Sequence, residues 1–467
     1  MIRNTFLQNI SLTFFSNIIS LTVSLVGTFF IPKFSNATVY GYWQLYLFYI
    51  SYAGLLHFGL CDGIYLKYGG ETYTNIDKDL LRTQFYILFF FLIVISLLSF
   101  SFFNFISIDI DTRKVLCLTA VGAFLHVLRT FLLLILQSTN RIKEYSLIII
   151  CDRLLFVVGI IFILVEDIIT YEAIISCDIL GRFVSLGLTI FFTKELVFGH
   201  LVTFSNVKKD LFQNISAGLQ LLFSGIASSL IIGIIRYGIK IKQSIMEFGK
   251  ISLSLSMINM VLSFINMVAI AFFPILKTFD YKKQGNLYKS IEIILIICTF
   301  GILCFAGCFK YIISLWLPQY SDSLNYMVIL LPSCVFESET LMLLNTYLKA
   351  VRKERDLLII NLSVMIFALM LVVVYYKLDY NLIFTLIEID FLLLIRCLLL
   401  KRIVYNEFKI LGYYKIILSE VFVFFLYLLL FISLPIIWAS ILYIFVFLSF
   451  YFIYRLRFLQ AIKSFHR

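Results

Sequence analysis

The 467-residue sequence predicts an all-α polytopic membrane protein: about fourteen transmembrane helices, arranged as two parallel six-helix lobes plus two C-terminal helices. Three observations carry that prediction. Hydrophobic side chains make up 62% of the chain and charged ones only 14%, whereas soluble domains are closer to half and a quarter. Apolar runs of membrane-spanning length recur along the whole chain. The Lys and Arg residues fall between those runs on alternate sides. This composition excludes a soluble enzyme, a nucleic-acid binder and a disordered scaffold, because 50 Phe and 28 Tyr exceed what one water-soluble core can hide.

The elements follow in order. Arg3 precedes the apolar run Phe14 to Ile31, and no small-x-small cleavage site follows, so this run reads as a first transmembrane helix rather than a cleaved signal. The six spans of the first lobe lie near 9–31, 40–62, 84–105, 115–139, 145–165 and 171–192. Those of the second lie near 214–234, 250–273, 289–309, 324–348, 356–375 and 380–400. A last pair lies near 415–434 and 436–455. The domains are therefore 1–193, a cytoplasmic linker 194–213, 214–401, and 402–467 with a cytoplasmic tail. Five prolines in all suit long uninterrupted helices.

With the N-terminus inside, twenty-five of the 38 Lys and Arg residues, Lys401 among them, fall on inner segments and nine on outer ones. That is the positive-inside bias, with both termini cytoplasmic. Only the basic outer loop 235–250 runs against it. The remaining four, Arg129, Arg153, Arg182 and Arg396, are intramembrane. The nine cysteines lie in or beside apolar runs, are odd in number and form no CxxC, so neither disulfides nor a zinc site is expected. No cofactor is expected.

An internal repeat supports the two lobes. Leu7-Gln8-Asn9-Ile10-Ser11 opens the first helix and Phe212-Gln213-Asn214-Ile215-Ser216 the seventh, 205 residues on. Gly41 and Gly249 open the second and eighth helices, an offset of 208. Six crossings restore the starting orientation, which makes the lobes parallel. The alternative is that this pentamer recurs by chance at helix starts.

Arg129, Arg153 and Arg182 lie in three consecutive helices at similar depth, Arg153 about 12 Å into its span. A lipid-facing Arg at mid-membrane costs roughly 2.5–3.5 kcal/mol, so such residues face protein or a water-filled cavity. Guanidinium groups suit phosphate or carboxylate, which makes all three candidates for binding an anionic substrate. Internal pairing competes with that role. Asp178 lies four residues before Arg182 on one helical face, and Asp152 is placed to pair across helices, with Arg129 in reach. Two acids against three arginines leave a cationic surplus. The second lobe is acidic instead. Glu337, Glu339, Glu388 and Asp390 could bind a coupling Na⁺ or H⁺, or could form a structural network with Arg396. His57 and His126 read as hydrogen-bonded packing residues, and no metal-ligand spacing occurs.

The stretch Tyr40-Gly41-Tyr42-Trp43-Gln44 through His57-Phe58-Gly59-Leu60-Cys61-Asp62-Gly63-Ile64-Tyr65 to Gly69-Gly70 resembles the second helix and following cytoplasmic loop of the polysaccharide-export flippases. These are the lipid-linked oligosaccharide translocases of O-antigen, lipopolysaccharide and capsule pathways, in the multidrug/oligosaccharidyl-lipid/polysaccharide superfamily. The resemblance implies transport without bond chemistry. An undecaprenyl-pyrophosphate-linked oligosaccharide would cross from the inner to the outer leaflet of the bacterial cytoplasmic membrane. It would pass through a cationic cavity between rocking lobes, with Arg129, Arg153 and Arg182 as the cations. Membrane lipids, and the polymerase and glycosyltransferases of the same pathway, would be its partners; nucleic acid would not. Gly59, Asp62, Gly63, Gly69 and Gly70 would form a gate, with close packing the competing explanation for the glycines. Polar side chains (Asn9, Asn17, Gln44, Gln137, Gln220, Asn259, Asn266) would replace head-group hydration. Two rivals stand beside this reading. One is a cation-coupled multidrug or small-molecule antiporter of the same superfamily, favoured by the acids. The other is a membrane polymerase or glycosyltransferase, disfavoured by the lack of a large outer loop.

Overall fold

A computed structural model describes residues 18–105, 108–276, 281–378, 381–410 and 414–465. Arg3, the Leu7–Ser11 segment, Asn9, Asn17, Lys277, His466 and Arg467 lie outside them. Among the described residues the chain is helical with no strand. Beside two shorter ones, Lys194–Val197 and Ala306–Trp316, the described residues form fourteen helices of seventeen residues or more, each bent pair taken as one. In the first half they are α1 (Ile18–Phe34), α2 (Ala37–His57 and Leu60–Lys67), α3 (Lys78–Phe105), α4 (Ile110–Ser138), α5 (Ile142–Val165) and α6 (Tyr171–Phe192). The second half holds α7 (Phe204–Lys242), α8 (Ile245–Leu276), α9 (Tyr281–Leu303), α10 (Pro318–Leu330 and Ser333–Ala350), α11 (Glu354–Leu378) and α12 (Leu382–Glu407). The last pair is α13 (Tyr414–Ser433) and α14 (Ile436–Phe465). Ten are long and apolar enough to cross a membrane, or twelve when each bent pair counts as one span. Rows of exposed large apolar residues, such as Phe90, Val94, Leu97 and Phe102 on α3 and Phe445, Phe452 and Ile453 on α14, would be intolerable in water and are ordinary against lipid.

The chain divides into two compact units, Met1–Ile226 and Ala227–Arg467, with the boundary inside α7. Two pairs of elements keep the offset expected of the repeat. The helices α2 and α8 begin 208 residues apart (245 − 37), as do α4 and α10 (318 − 110). In the first unit α4 is the most buried span, packing on α2, α3, α5 and α6. In the second, α14 lies against α9 and α13 against the first half of α10. Buried tyrosines fix that pair: the Tyr427 hydroxyl donates to the Val328 carbonyl at 2.8 Å.

The helices differ from the expected spans where local chemistry overrides hydropathy. The segment expected as a basic loop over 235–250 is helical on both sides of a two-residue joint at Gln243–Ser244, because no Pro or Gly stands between Ile239 and Phe248 to widen the break. Lys240, Lys242 and Lys250 therefore extend helices. The linker expected over 194–213 is a one-turn helix (Lys194–Val197), a short joint, and the first turns of α7 from Phe204. Two spans expected to be continuous are broken. The helix α10 bends by 51° at Pro332, whose ring cannot sit in a helix interior. The helix α2 bends by 62° where Phe58 (φ +46°) and Gly59 (φ +80°) turn left-handed. His57 steadies that break: its Nδ1 accepts the Gly59 N–H at 3.2 Å.

Beyond the break, the second half of α2 crosses α7 at backbone contact. A Cβ on Gly63 would lie 1.8 Å from the Asn214 carbonyl oxygen, and one on Gly218 1.9 Å from the Gly59 oxygen. No residue larger than glycine fits, so Gly59-x-x-x-Gly63 is a small-residue helix crossing. A polar knot sits beside it. Lys67 pairs with Asp210, Gln84 Nε2 donates to Asp210 at 2.8 Å, and the buried Asn214 donates to Gln84 at 3.0 Å.

Candidate functional site

The first unit gathers its intramembrane charges around α4, α5 and α6. Arg129 is buried and its Nη1 donates to Asp152 Oδ2 at 2.6 Å and to Ser185 Oγ at 2.7 Å. Arg182 is also buried. Its Nε donates to Asp178 Oδ2 at 2.6 Å, one helical turn back, and its Nη1 lies 2.9 Å from His126 Nδ1. A guanidinium has no acceptor atom, so His126 Nδ1 must be unprotonated. Tyr46 from α2 donates a third bond, to Asp178, at 2.6 Å. The hydroxyl reaches in over Gly122, where a Cβ would lie 2.7 Å away.

Arg153 behaves differently. It is only partly buried, its Nε has no hydrogen-bond partner, and it makes no ion pair among the described residues. The three arginines are therefore not equivalent. Two guanidiniums are held by the two carboxylates, and the third carries the surplus positive charge. Gln44, expected to help solvate a head group, is buried and donates to the Tyr40 hydroxyl at 2.7 Å.

The residues expected to form a gate divide by position. Gly59 and Gly63 are the crossing with α7, and Asp62 lies between them on the same short helix. Gly69 and Gly70 follow the helix end. Gly70 (φ +96°) turns the chain there and donates its N–H to the Ser138 carbonyl at 3.2 Å.

The second unit carries two charge clusters. In one, Arg396 pairs with Glu337 and donates to Ser228 Oγ at 2.7 Å. Glu337 stands 208 residues after Arg129 (337 − 129), the offset that separates α4 from α10. The repeat thus places opposite charges at one register. Asp390 is fully buried beside Ser333 at the break in α10, and neither oxygen makes a geometrically sound hydrogen bond. Glu388 lies about two turns before Arg396 along α12 and is half-buried.

The other cluster surrounds Lys401. This residue was expected on an inner loop, but α12 continues to Glu407 and buries it completely. Its Nζ lies 2.6 Å from Glu420, 2.8 Å from Glu339 and 3.7 Å from Glu292, all buried. Cys397 Sγ donates to Glu339 at 3.1 Å, and Tyr405 donates to Glu292. The sequence reading used only Glu339 of this group. The missed signal is that Glu292 and Glu420 each interrupt an apolar run, and an acid there requires a partner.

No protein family and no curated protein matches the sequence. Solved structures do match the fold. The lipid II flippase MurJ in an inward closed conformation superposes with a TM-score of 0.68 at 14% identity, covering 96% of this chain and 99% of that one. A multidrug resistance MATE family transporter of the MOP superfamily matches in its inward-facing conformation with a TM-score of 0.59 at 13% identity, covering 85% and 96% of the two chains. An outward-facing conformation of a MATE family transporter of that superfamily gives 0.58 at 15%, covering 86% and 97%. The likeness at these identities is one of architecture: this chain has the all-α polytopic fold that MurJ and MATE transporters share.

Proposed function

We propose that the chain is a flippase that moves an undecaprenyl-pyrophosphate-linked oligosaccharide from the cytoplasmic to the outer leaflet of a bacterial cytoplasmic membrane by alternating access, without bond chemistry. Its basic side and both termini face the cytoplasm. The lobes are 1–193 and 214–401, joined by 194–213 and followed by the helix pair of 402–467. The observation that carries the reading is Arg153. It is a partly accessible guanidinium without a protein counter-ion, next to two neutralised arginine pairs. A diphosphate entering hydrocarbon must exchange its hydration for fixed cations, and a guanidinium offers it paired donors. The fold supports the same direction, since the superposing transporters include a lipid flippase and both inward- and outward-facing states.

The test is flipping of a fluorescent lipid-linked oligosaccharide in reconstituted vesicles. Arg153→Ala is expected to slow flipping roughly 10- to 100-fold, the worth of one or two charge-assisted hydrogen bonds, and Arg153→Lys to slow it less. Equal rates for wild type and Arg153→Ala would refute the role. A second reading, a cation-coupled small-molecule antiporter, is favoured by the buried and half-buried acids of the second unit, with Glu337, Glu339, Glu388 and Asp390 as coupling groups. It predicts that a Na⁺ or H⁺ gradient drives drug efflux and that lipid-linked sugar is not moved.

A further inference from the structure

The Lys401 cluster is not charge-balanced. Three carboxylates, Glu292 on α9, Glu339 on α10 and Glu420 on α13, surround one ammonium, and all four side chains are essentially inaccessible. The other titratable groups facing them are Cys397 and Tyr405 on α12 and Tyr288 on α9, all neutral in their ordinary state. No second Lys or Arg pairs with the group among the described residues. With every carboxylate ionised the site would hold two uncompensated negative charges in a dry interior, which no protein tolerates without a further cation.

The hydrogen bonds show where the deficit sits. Lys401 takes Oε2 of Glu339 and Oε2 of Glu420. Oε1 of each is buried without a partner. Two surplus charges thus coincide with two unpartnered oxygens. The ligand atoms of Glu339, Cys397 and Glu420 lie within 4.8 Å of one another, close enough for each ionised carboxylate to disfavour ionisation of the other. Lys401 Nζ bonds both carboxylates and so supplies the place's own cation.

We propose that the Lys401 cluster holds two protons among its three carboxyl groups at neutral pH, making it a neutral, proton-held joint between α13 and the α9–α10–α12 core of the second unit. This proposal is independent of what the chain transports. The folded cluster then carries two more protons than the unfolded chain above the ordinary carboxylate range. Stability must therefore fall as pH rises.

The experiment uses the full chain in detergent and compares wild type with Glu339→Gln, Glu420→Gln and the double variant. Glutamine imitates a protonated carboxyl. All three variants are expected to fold and melt at or above the wild-type temperature at about pH 8. Wild-type Tm is expected to fall between about pH 5 and about pH 9, and the double variant is expected to lose that slope. The protonated-carboxyl carbonyl stretch in the infrared spectrum at neutral pH is expected to weaken stepwise with each substitution. Glutamine variants that fail to fold or melt well below wild type would overturn the proposal, because ionised partners of Lys401 would then have been removed. A rise in wild-type Tm on adding Na⁺ or Zn²⁺ alone, absent in the double variant, would also overturn it, by showing a metal-ion site instead.

Discussion

The two units of this chain share a repeat and differ in the sign of what they bury. At the register shared by α4 and α10, the first unit has Arg129 and the second Glu337. The first unit closes two ion pairs and leaves a guanidinium over, at Arg153. The second closes Arg396 onto Glu337 and leaves carboxylate oxygens over, on Glu339, Glu420 and Asp390. One architecture thus presents a surplus cation in one half and surplus acids in the other. The difference teaches that the repeat fixes where charge can be buried, while the residues at those places decide which ions the site will take up.

The comparison breaks most severely at Lys401. Replacing it with methionine removes the ammonium and strands the carboxylate charge it balances, and removal of one partner of a buried pair costs about 3–5 kcal/mol. Lys401→Met is expected to fail to accumulate or to melt far below wild type in a thermal denaturation assay. A stable Lys401→Met protein would mean that the cluster is not ionic. In the first unit Arg129→Leu is expected to cost about 3 kcal/mol through the stranded Asp152. The Arg129→Leu/Asp152→Leu double variant should recover most of that loss, since two apolar side chains of similar volume replace a buried pair at little net cost. If the double variant is no better than the single, the pair is not the source of the effect.

A middle-sized effect tests geometry rather than charge. Gly63→Ala would push a methyl group into the Asn214 carbonyl, and backbone cannot give way as a flexible side chain can. Overpacking of this kind costs about 1–3 kcal/mol. The melting temperature should drop accordingly. Gly70→Ala is expected to lose less, because open space surrounds that Cβ and only the left-handed backbone opposes it. Equal losses would assign the effect to backbone strain and not to the crossing.

Much of the fold was legible in the sequence because hydropathy reports directly on membrane spans. The breaks in α2 and α10 were less legible, since a single Gly59 or Pro332 inside an apolar run leaves mean hydropathy unchanged. In the first unit the spacing of Asp178 and Arg182 displays one ion pair along a single helical face. The partners contributed by Tyr46, His126 and Ser185 come from sequence distances of 56 to 132 residues, which no local pattern encodes. The Lys401 cluster was illegible for another reason. Its members lie on four helices, and Lys401 itself stands where a helix end and a loop look alike in sequence.

The smallest structural effect is expected at Arg153, and that is what makes it informative. The side chain is partly exposed and holds no acid, so Arg153→Ala removes no buried partner and should change stability by no more than about 0.5 kcal/mol. Flipping should nevertheless fall. Arg129→Leu should show the reverse order, with loss of folded protein preceding any loss of rate per folded molecule. Measured side by side as Tm and as rate per folded protein, the two variants separate a guanidinium that holds the unit together from one kept for a ligand. If Arg153→Ala melts as low as Arg129→Leu, then Arg153 is a structural cation like its neighbours, and the first unit has no charge to spare for a substrate.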